Sequence, residues 1–121
     1  MYDAYRKNAD GTPALHLVGR NATRFKSNEA FVDAESYIRN SSQFDDALAS
    51  ATNRRFQVDI PAEKVLGSKY LEQIEGVTRL GSKKNPTGWQ PTDLTDSVIR
   101  ARYRIDVNGQ INLTTMFPEP R

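Results

Sequence analysis

The stretch Ser97–Pro118, SVIRARYRIDVNGQINLTTMFP, constrains the fold more than any other part of the sequence. In an extended strand successive side chains point to opposite faces. The first arm therefore sets Ile99, Ala101, Tyr103 and Ile105 against Arg100, Arg102 and Arg104. The second arm alternates as well, with Ile111, Leu113, Thr115 and Phe117 against Asn112, Thr114 and Met116. Asn108-Gly109 marks a turn between them, so the stretch reads as one long β-hairpin. A two-residue loop would pair Ile105 with Asn112 and mix the faces, because a slip of one residue inverts every side chain. A three-residue loop, Val107-Asn108-Gly109 with Gly109 in the left-handed region, pairs Ile105 with Ile111, Tyr103 with Leu113 and Ile99 with Phe117. The opposite face then pairs Arg104 with Asn112 and Arg102 with Thr114.

A ladder of Arg, Asn and Thr is either the ordinary solvated face of an antiparallel sheet or a binding surface. Three guanidinium groups at period two repel one another unless an anion lies across them. Phosphate suits them, since the planar fork of Arg meets it with two hydrogen bonds.

The charge pattern points the same way. Residues 16–26 carry Arg20, Arg24 and Lys26 with no acid, and residues 79–104 carry Arg79, Lys83, Lys84, Arg100, Arg102 and Arg104 against Asp93 and Asp96. Residues 27–78 hold nine acids against five bases, so an acidic middle separates two basic flanks. If folding joins the flanks, one face becomes an anion site.

Upstream, helical spacing predicts a helix from Ser27 or Asn28 to about Asn40, with Phe31, Ala34 and Ile38 inward, and a second from Ser42 to Thr52 around Phe44, Ala47, Leu48 and Ala51. Ala14–Gly19 reads as a short strand or buried turn, and residues 20–26 as a loop. Residues 55–60 alternate as a strand, Pro61-Ala62-Glu63 opens a helical turn to Gly67, and Lys69–Glu75 reads as a short helix stopping at Gly76. Val77–Leu80 reads as a strand, and Gly81–Pro91, GSKKNPTGWQP, as a loop. With helices first and sheet after, the expected fold is α+β, N-terminal helices packed on one face of a C-terminal antiparallel β-sheet. At 121 residues the chain makes one domain, 1–121, with residues 1–13 a loosely ordered lead-in. No apolar run of about 18 residues exists to span a membrane, and Met1-Tyr2-Asp3 opens no signal peptide.

The chemical toolkit is small. There is no cysteine and one histidine, His16, so thiol nucleophiles and His/Cys zinc sites are excluded. No phosphate-loop or dinucleotide glycine motif occurs, and no cofactor is expected. What remains suits metal-free RNA cleavage, in which a ribose 2′-hydroxyl attacks its own phosphate. His16 is the candidate base or acid, Arg20, Arg102 and Arg104 candidate clamps for the developing charge, and Thr114 a candidate holder of a phosphate oxygen. Arg24, Arg79, Lys83, Lys84, Arg100 and Asn112 are candidate RNA contacts. A histidine flanked by Leu15 and Leu17 is otherwise a packing residue. Trp89 reads either as the anchor of its loop or as a base-stacking platform.

Helices, a strand and then RARYRIDVNGQINLTTMFPEP together resemble the C-terminal ribonuclease toxin domains of bacterial polymorphic and contact-dependent growth-inhibition effectors, with the fold shared by barnase, EndoU, the tRNase colicins and RelE. The likeness covers roughly residues 14–118. It implies metal-independent endoribonuclease activity, often on tRNA, with His16, Arg102, Arg104 and Thr114 in places comparable to the family's catalytic residues. EndoU members use a second histidine, which this chain lacks, so the resemblance assigns no general acid. It further implies secretion within a larger effector, delivery to the cytoplasm of a target cell, neutralisation by a cognate immunity protein and, for some members, dependence on elongation factor Tu. Two other classes remain open: a non-catalytic immunity or RNA-binding module, and a NAD-consuming toxin (ADP-ribosyltransferase or glycohydrolase).

Overall fold

The alternating arms fold as read, into β-strands Val98–Ile105 and Ile111–Glu119. A computed structural model describes Asn8 and residues 12–121; the lead-in expected over 1–13 otherwise lies outside the described residues. In chain order the strands are β1 (His16–Val18), β2 (Asn21–Phe25), β3 (Arg55–Pro61), β4 (Ile74–Gly81), β5 (Pro86–Pro91), β6 (Val98–Ile105) and β7 (Ile111–Glu119), with helices α1 (Asn28–Arg39), α2 (Ser42–Ala49) and α3 (Ala62–Leu66). The fold is α+β, and the helices precede most of the strands.

The β6–β7 turn is held by one carboxylate. Gly109 sits at φ +81° and its N–H donates to the Asp106 carbonyl at 3.0 Å. Asp106 Oδ1 accepts from the N–H groups of Asn108 and Gln110, both at 2.9 Å, and Oδ2 accepts from the Asn112 amide at 3.3 Å. The Gln110 hydrogen bond is the chief reason that the Asp106 carboxyl lies below its ordinary range, with Asn108, Asn112 and the nearby charge of Arg54 adding to it. A carboxyl depressed in the folded state stabilises it above the unfolded value, about 3.9, and that contribution is lost as pH falls through the lower folded value. Amide protection of Asn108 and Gln110 is therefore expected to fade below about pH 4 ahead of global unfolding, and Asp106→Asn should remove that acid-dependent step. Protection that stays flat down to the unfolding transition would refute the assignment.

The register is the expected one as far as Leu113, with Ile105 opposite Ile111, Arg104 opposite Asn112 and Tyr103 opposite Leu113. It then shifts. Between Arg102 and Tyr103 the pairing skips Thr114, so Arg102 faces Thr115, Arg100 faces Phe117 and Ile99 faces Pro118. The expected pairs Arg102–Thr114 and Ile99–Phe117 are not formed. Thr114 is the extra residue of a β-bulge, and its hydroxyl donates to the Arg102 carbonyl at 2.9 Å. A bulge exchanges the two faces downstream of it. Met116 consequently enters the helix-side core, while Thr115 and Phe117 turn to the arginine side.

β3 lies on the other side of β6, giving the order β3-β6-β7. Its entry is a tight turn through Asn53 and Arg54, both at positive φ, as a two-residue hairpin loop requires. Phe56, Val58, Ile60, Ile99, Ala101, Tyr103, Leu113 and Met116 form the buried face. Against it lie Phe31, Ala34 and Ile38 of α1 and Phe44 of α2. Both helices start at serine caps, Ser27 accepting from Ala30 N–H and Ser41 from Phe44 N–H, each at 3.1 Å. α2 stops at Ala49, short of the expected Thr52.

The remaining strands make a second antiparallel sheet, β1-β2-β4-β5. Two of its strands, β2 and β5, occupy segments expected to be loops. β4 also starts at Ile74, replacing the end of the helix expected over 69–75, of which only a 3₁₀ turn at Tyr70–Glu72 forms. It runs through Gly76, where a Cβ would lie 2.9 Å from Thr23 Cγ2 and 3.0 Å from the Ala22 carbonyl oxygen. That glycine permits close approach of β2 and does not end a helix. Pro86 and Pro91 are tolerated because β5 is an edge strand.

Candidate nucleic-acid interface

The face of β3-β6-β7 turned away from the helices grades from neutralised to uncompensated charge. Three residues of β3, Arg55, Gln57 and Asp59, stand directly opposite Arg104, Arg102 and Arg100 of β6. At one end Asp59 grips Arg100 with two hydrogen bonds, Nε–Oδ1 at 2.9 Å and Nη2–Oδ2 at 3.2 Å, which raises the guanidinium above its ordinary pKa. Glu119 Oε2 adds an ion pair to Arg100 Nη1 at 3.8 Å. In the middle, Arg102 Nε donates to Gln57 Oε1 at 3.1 Å, and its guanidinium carbon lies 5.6 Å from the centre of the Phe117 ring.

At the far end Arg55 faces Arg104. Directly opposed side chains have Cβ atoms about 4.5–5.5 Å apart, and like charges placed so repel. Among the described residues neither arginine has an ion pair or a side-chain hydrogen bond. Arg55, Gln57, Arg102, Arg104 and Thr114 line a cleft of about 520 Å³ over the backbone of Phe56 and Tyr103, whose side chains are buried. Its chemistry is that of an anion receptor: three guanidinium groups, one of them braced by an amide, and no carboxylate in the lining.

His16 approaches the same sheet from the second one. Thr23 Oγ1 donates to the Pro118 carbonyl at 2.7 Å, fastening β2 to the end of β7. His16, opposite Thr23 on β1, stacks on Phe117 with ring centres 4.0 Å apart and planes 12° from parallel. Its Nδ1 lies 3.2 Å from Thr115 Oγ1. Phe117 thus carries His16 and Arg102 on one ring. The histidine is half-buried, so it is not sealed in the core, although Leu15 and Leu17 beside it are exposed.

The other expected site residues divide sharply. Arg102, Arg104 and Thr114 share the cleft, but Thr114 spends its only proton on the Arg102 carbonyl and cannot also donate to a phosphate. Arg100 is held by acids, and Arg24 by Glu75 at 2.8 Å. Asn112 is occupied with the turn at Asp106. Arg20 is exposed in the β1–β2 turn, and its carbonyl accepts from Arg79 N–H at 2.8 Å. Arg79 lies on β4, and Lys83 and Lys84 are exposed in the β4–β5 loop. Arg55 and Gln57 were not anticipated. Their signal is the alternation of Arg55, Gln57 and Asp59 with Phe56, Val58 and Ile60, which gives the strand a polar face to lay beside RARYR. Among the described residues no three His, Asp or Glu side chains converge as metal ligands do.

No protein family, curated protein or solved structure matches this chain.

Proposed function

We propose that this protein is an endoribonuclease toxin domain that cleaves RNA, with tRNA as its substrate, by attack of a ribose 2′-hydroxyl on the adjacent phosphate. The observation that carries the reading is the uncompensated Arg55–Arg104 pair beside Arg102. Such a cluster gains most from a ligand dense in negative charge, and phosphoryl oxygens fit the guanidinium fork. In the proposed reaction the 2′-oxygen forms a bond to phosphorus as the 5′-oxygen leaves, giving a 2′,3′-cyclic phosphate and a 5′-hydroxyl. Arg55, Arg102 and Arg104 stabilise the extra charge of the phosphorane, while His16, which shares the Phe117 ring with Arg102 but does not line the cleft, moves the proton at one of the two oxygens and water takes or supplies the proton at the other. An immunity protein for this domain would have to bring carboxylates to the Arg55–Arg104 end of the sheet.

A second reading, RNA binding without cleavage, is favoured by one observation: His16 is stacked on Phe117 and bonded through Nδ1, as a packing residue would be. Incubating purified protein with tRNA in excess EDTA separates the two. Cleavage to cyclic-phosphate ends supports the first reading, and intact but bound tRNA supports the second. Activity abolished by EDTA and restored by magnesium or zinc would remove the proposed mechanism. In either reading, replacing both Arg55 and Arg104 with Ala should reduce the salt dependence of binding by about two phosphate contacts' worth. Arg100→Ala should change it little, since Asp59 already neutralises that charge. Equal effects from all three positions would show that the cleft is not the contact.

A further inference from the structure

The edge strand of the four-stranded sheet, β5, bears the chain's one tryptophan. Trp89 is 56% exposed and stands directly opposite Arg79 in the β4–β5 pairing. Residues 76–92 contain Arg79, Lys83 and Lys84 and no Asp or Glu. The lysines sit at the tip of the same hairpin, and that tip has a defined shape. Gly81 is at φ +82°, where a Cβ would lie 2.7 Å from the Asn85 carbonyl oxygen, and Ser82 Oγ accepts from Asn85 N–H at 2.9 Å. Arg79 is half-exposed, yet among the described residues its Nε is buried with no hydrogen-bond partner.

A flat aromatic surface within a cationic hairpin whose one acid, Glu75, is already paired with Arg24 matches a ligand that offers π faces and negative charge in alternation. Single-stranded nucleic acid offers both, since bases stack on exposed aromatic rings while neighbouring phosphates meet cations. A protein docking here would have to supply acids against three bases and an apolar patch against one ring. We propose that the β4–β5 hairpin is a single-strand RNA-binding element in which a base stacks on Trp89 and the flanking phosphates meet Arg79, Lys83 and Lys84. The proposal rests on the reading of the protein as an RNA-binding one and adds a second, base-contacting site to the phosphate cleft.

Because Trp89 is the only tryptophan, the protein's own fluorescence reports on this site. A short oligoadenylate is titrated into the wild type while its binding is followed independently by the anisotropy of a label on the RNA. The expected result is saturable quenching that tracks the anisotropy. Trp89→Ala should weaken binding by about 5- to 150-fold, the range of one lost base stack. The double variant Lys83→Glu, Lys84→Glu, confined to an exposed loop, should weaken binding and lower its salt dependence. Binding by anisotropy without quenching, together with full affinity in both variants, would overturn the proposal and leave the RNA reading intact. Equal quenching by heparin, an anion without bases, would also overturn it. Absence of any RNA binding would bring down both together.

Discussion

Replacing His16 with phenylalanine is expected to lower tRNA cleavage by roughly 10²–10⁴-fold, the range for loss of a general acid or base, while leaving the fold in place. Phenylalanine keeps an aromatic ring where His16 stacks on Phe117 at 4.0 Å, and it removes the ring nitrogens. His16→Ala loses the stack too and should cost about 0.5–1.5 kcal/mol more in stability, the usual worth of an aromatic pair. The informative comparison is single-turnover cleavage by the two variants, with folding followed by circular dichroism. Should His16→Phe cleave at the wild-type rate, His16 is a packing residue and the proton is moved elsewhere.

The largest expected loss of stability is at Tyr103. Its side chain is 1% exposed, stacks on Phe56 at 5.1 Å and meets Phe44 edge-on at 5.0 Å. Its hydroxyl donates to Glu35 Oε2 at 2.8 Å, while Arg39 pairs with Glu35 at 2.8 Å and lies over the Tyr103 ring at 5.2 Å. Removing a buried aromatic side chain costs about 3–5 kcal/mol, a large share of the roughly 5–15 kcal/mol that holds a domain of this kind together. Tyr103→Ala should lose that much in denaturant unfolding. Tyr103→Phe should lose about 1.5–3 kcal/mol, the scale of a hydrogen bond to a charged group. Near-equal losses in the two variants would place the stabilisation in the hydroxyl and not in the ring. Tyr103 lies between Arg102 and Arg104 in β6, so anchoring its ring also fixes the aim of both guanidinium groups.

Much of this was legible in the sequence where one periodicity dominated. The serine caps and the spacing of Phe31, Ala34 and Ile38 marked α1, and the alternation of RARYRI with its Asn-Gly turn gave the hairpin and its register up to Leu113. The bulge was not legible, because Thr114 and Thr115 are identical and Met116 and Phe117 are both apolar. Either phase of the strand therefore satisfies alternation, and the choice falls to what covers each face. Phe117 is covered by His16, a contact between residues 101 positions apart. β2 and β5 escaped notice for a related reason. β5 is short, exposed over most of its length and rich in Pro and Gly, β2 is only five residues long with Asn21 and Arg24 among them, and each is a strand because β4 pairs with it. Arg55 was hidden by the same dependence: its significance arises only once β3 lies beside β6 and sets it against Arg104.

The bulge at Thr114 makes β7 a strand with two loyalties. Before it, Leu113 packs toward the helices; after it, Met116 does so while Thr115 and Phe117 reach the opposite side, where β1 and β2 dock. One surplus residue thus acts as a phase change that lets a single strand bind partners on both of its faces. Without it, strict alternation would send Phe117 inward and Met116 outward, and the seat of His16 would be gone although the arginine row of β6 stood unchanged. The cleft and the histidine are independently mounted, and Thr114 is the residue that sets one against the other.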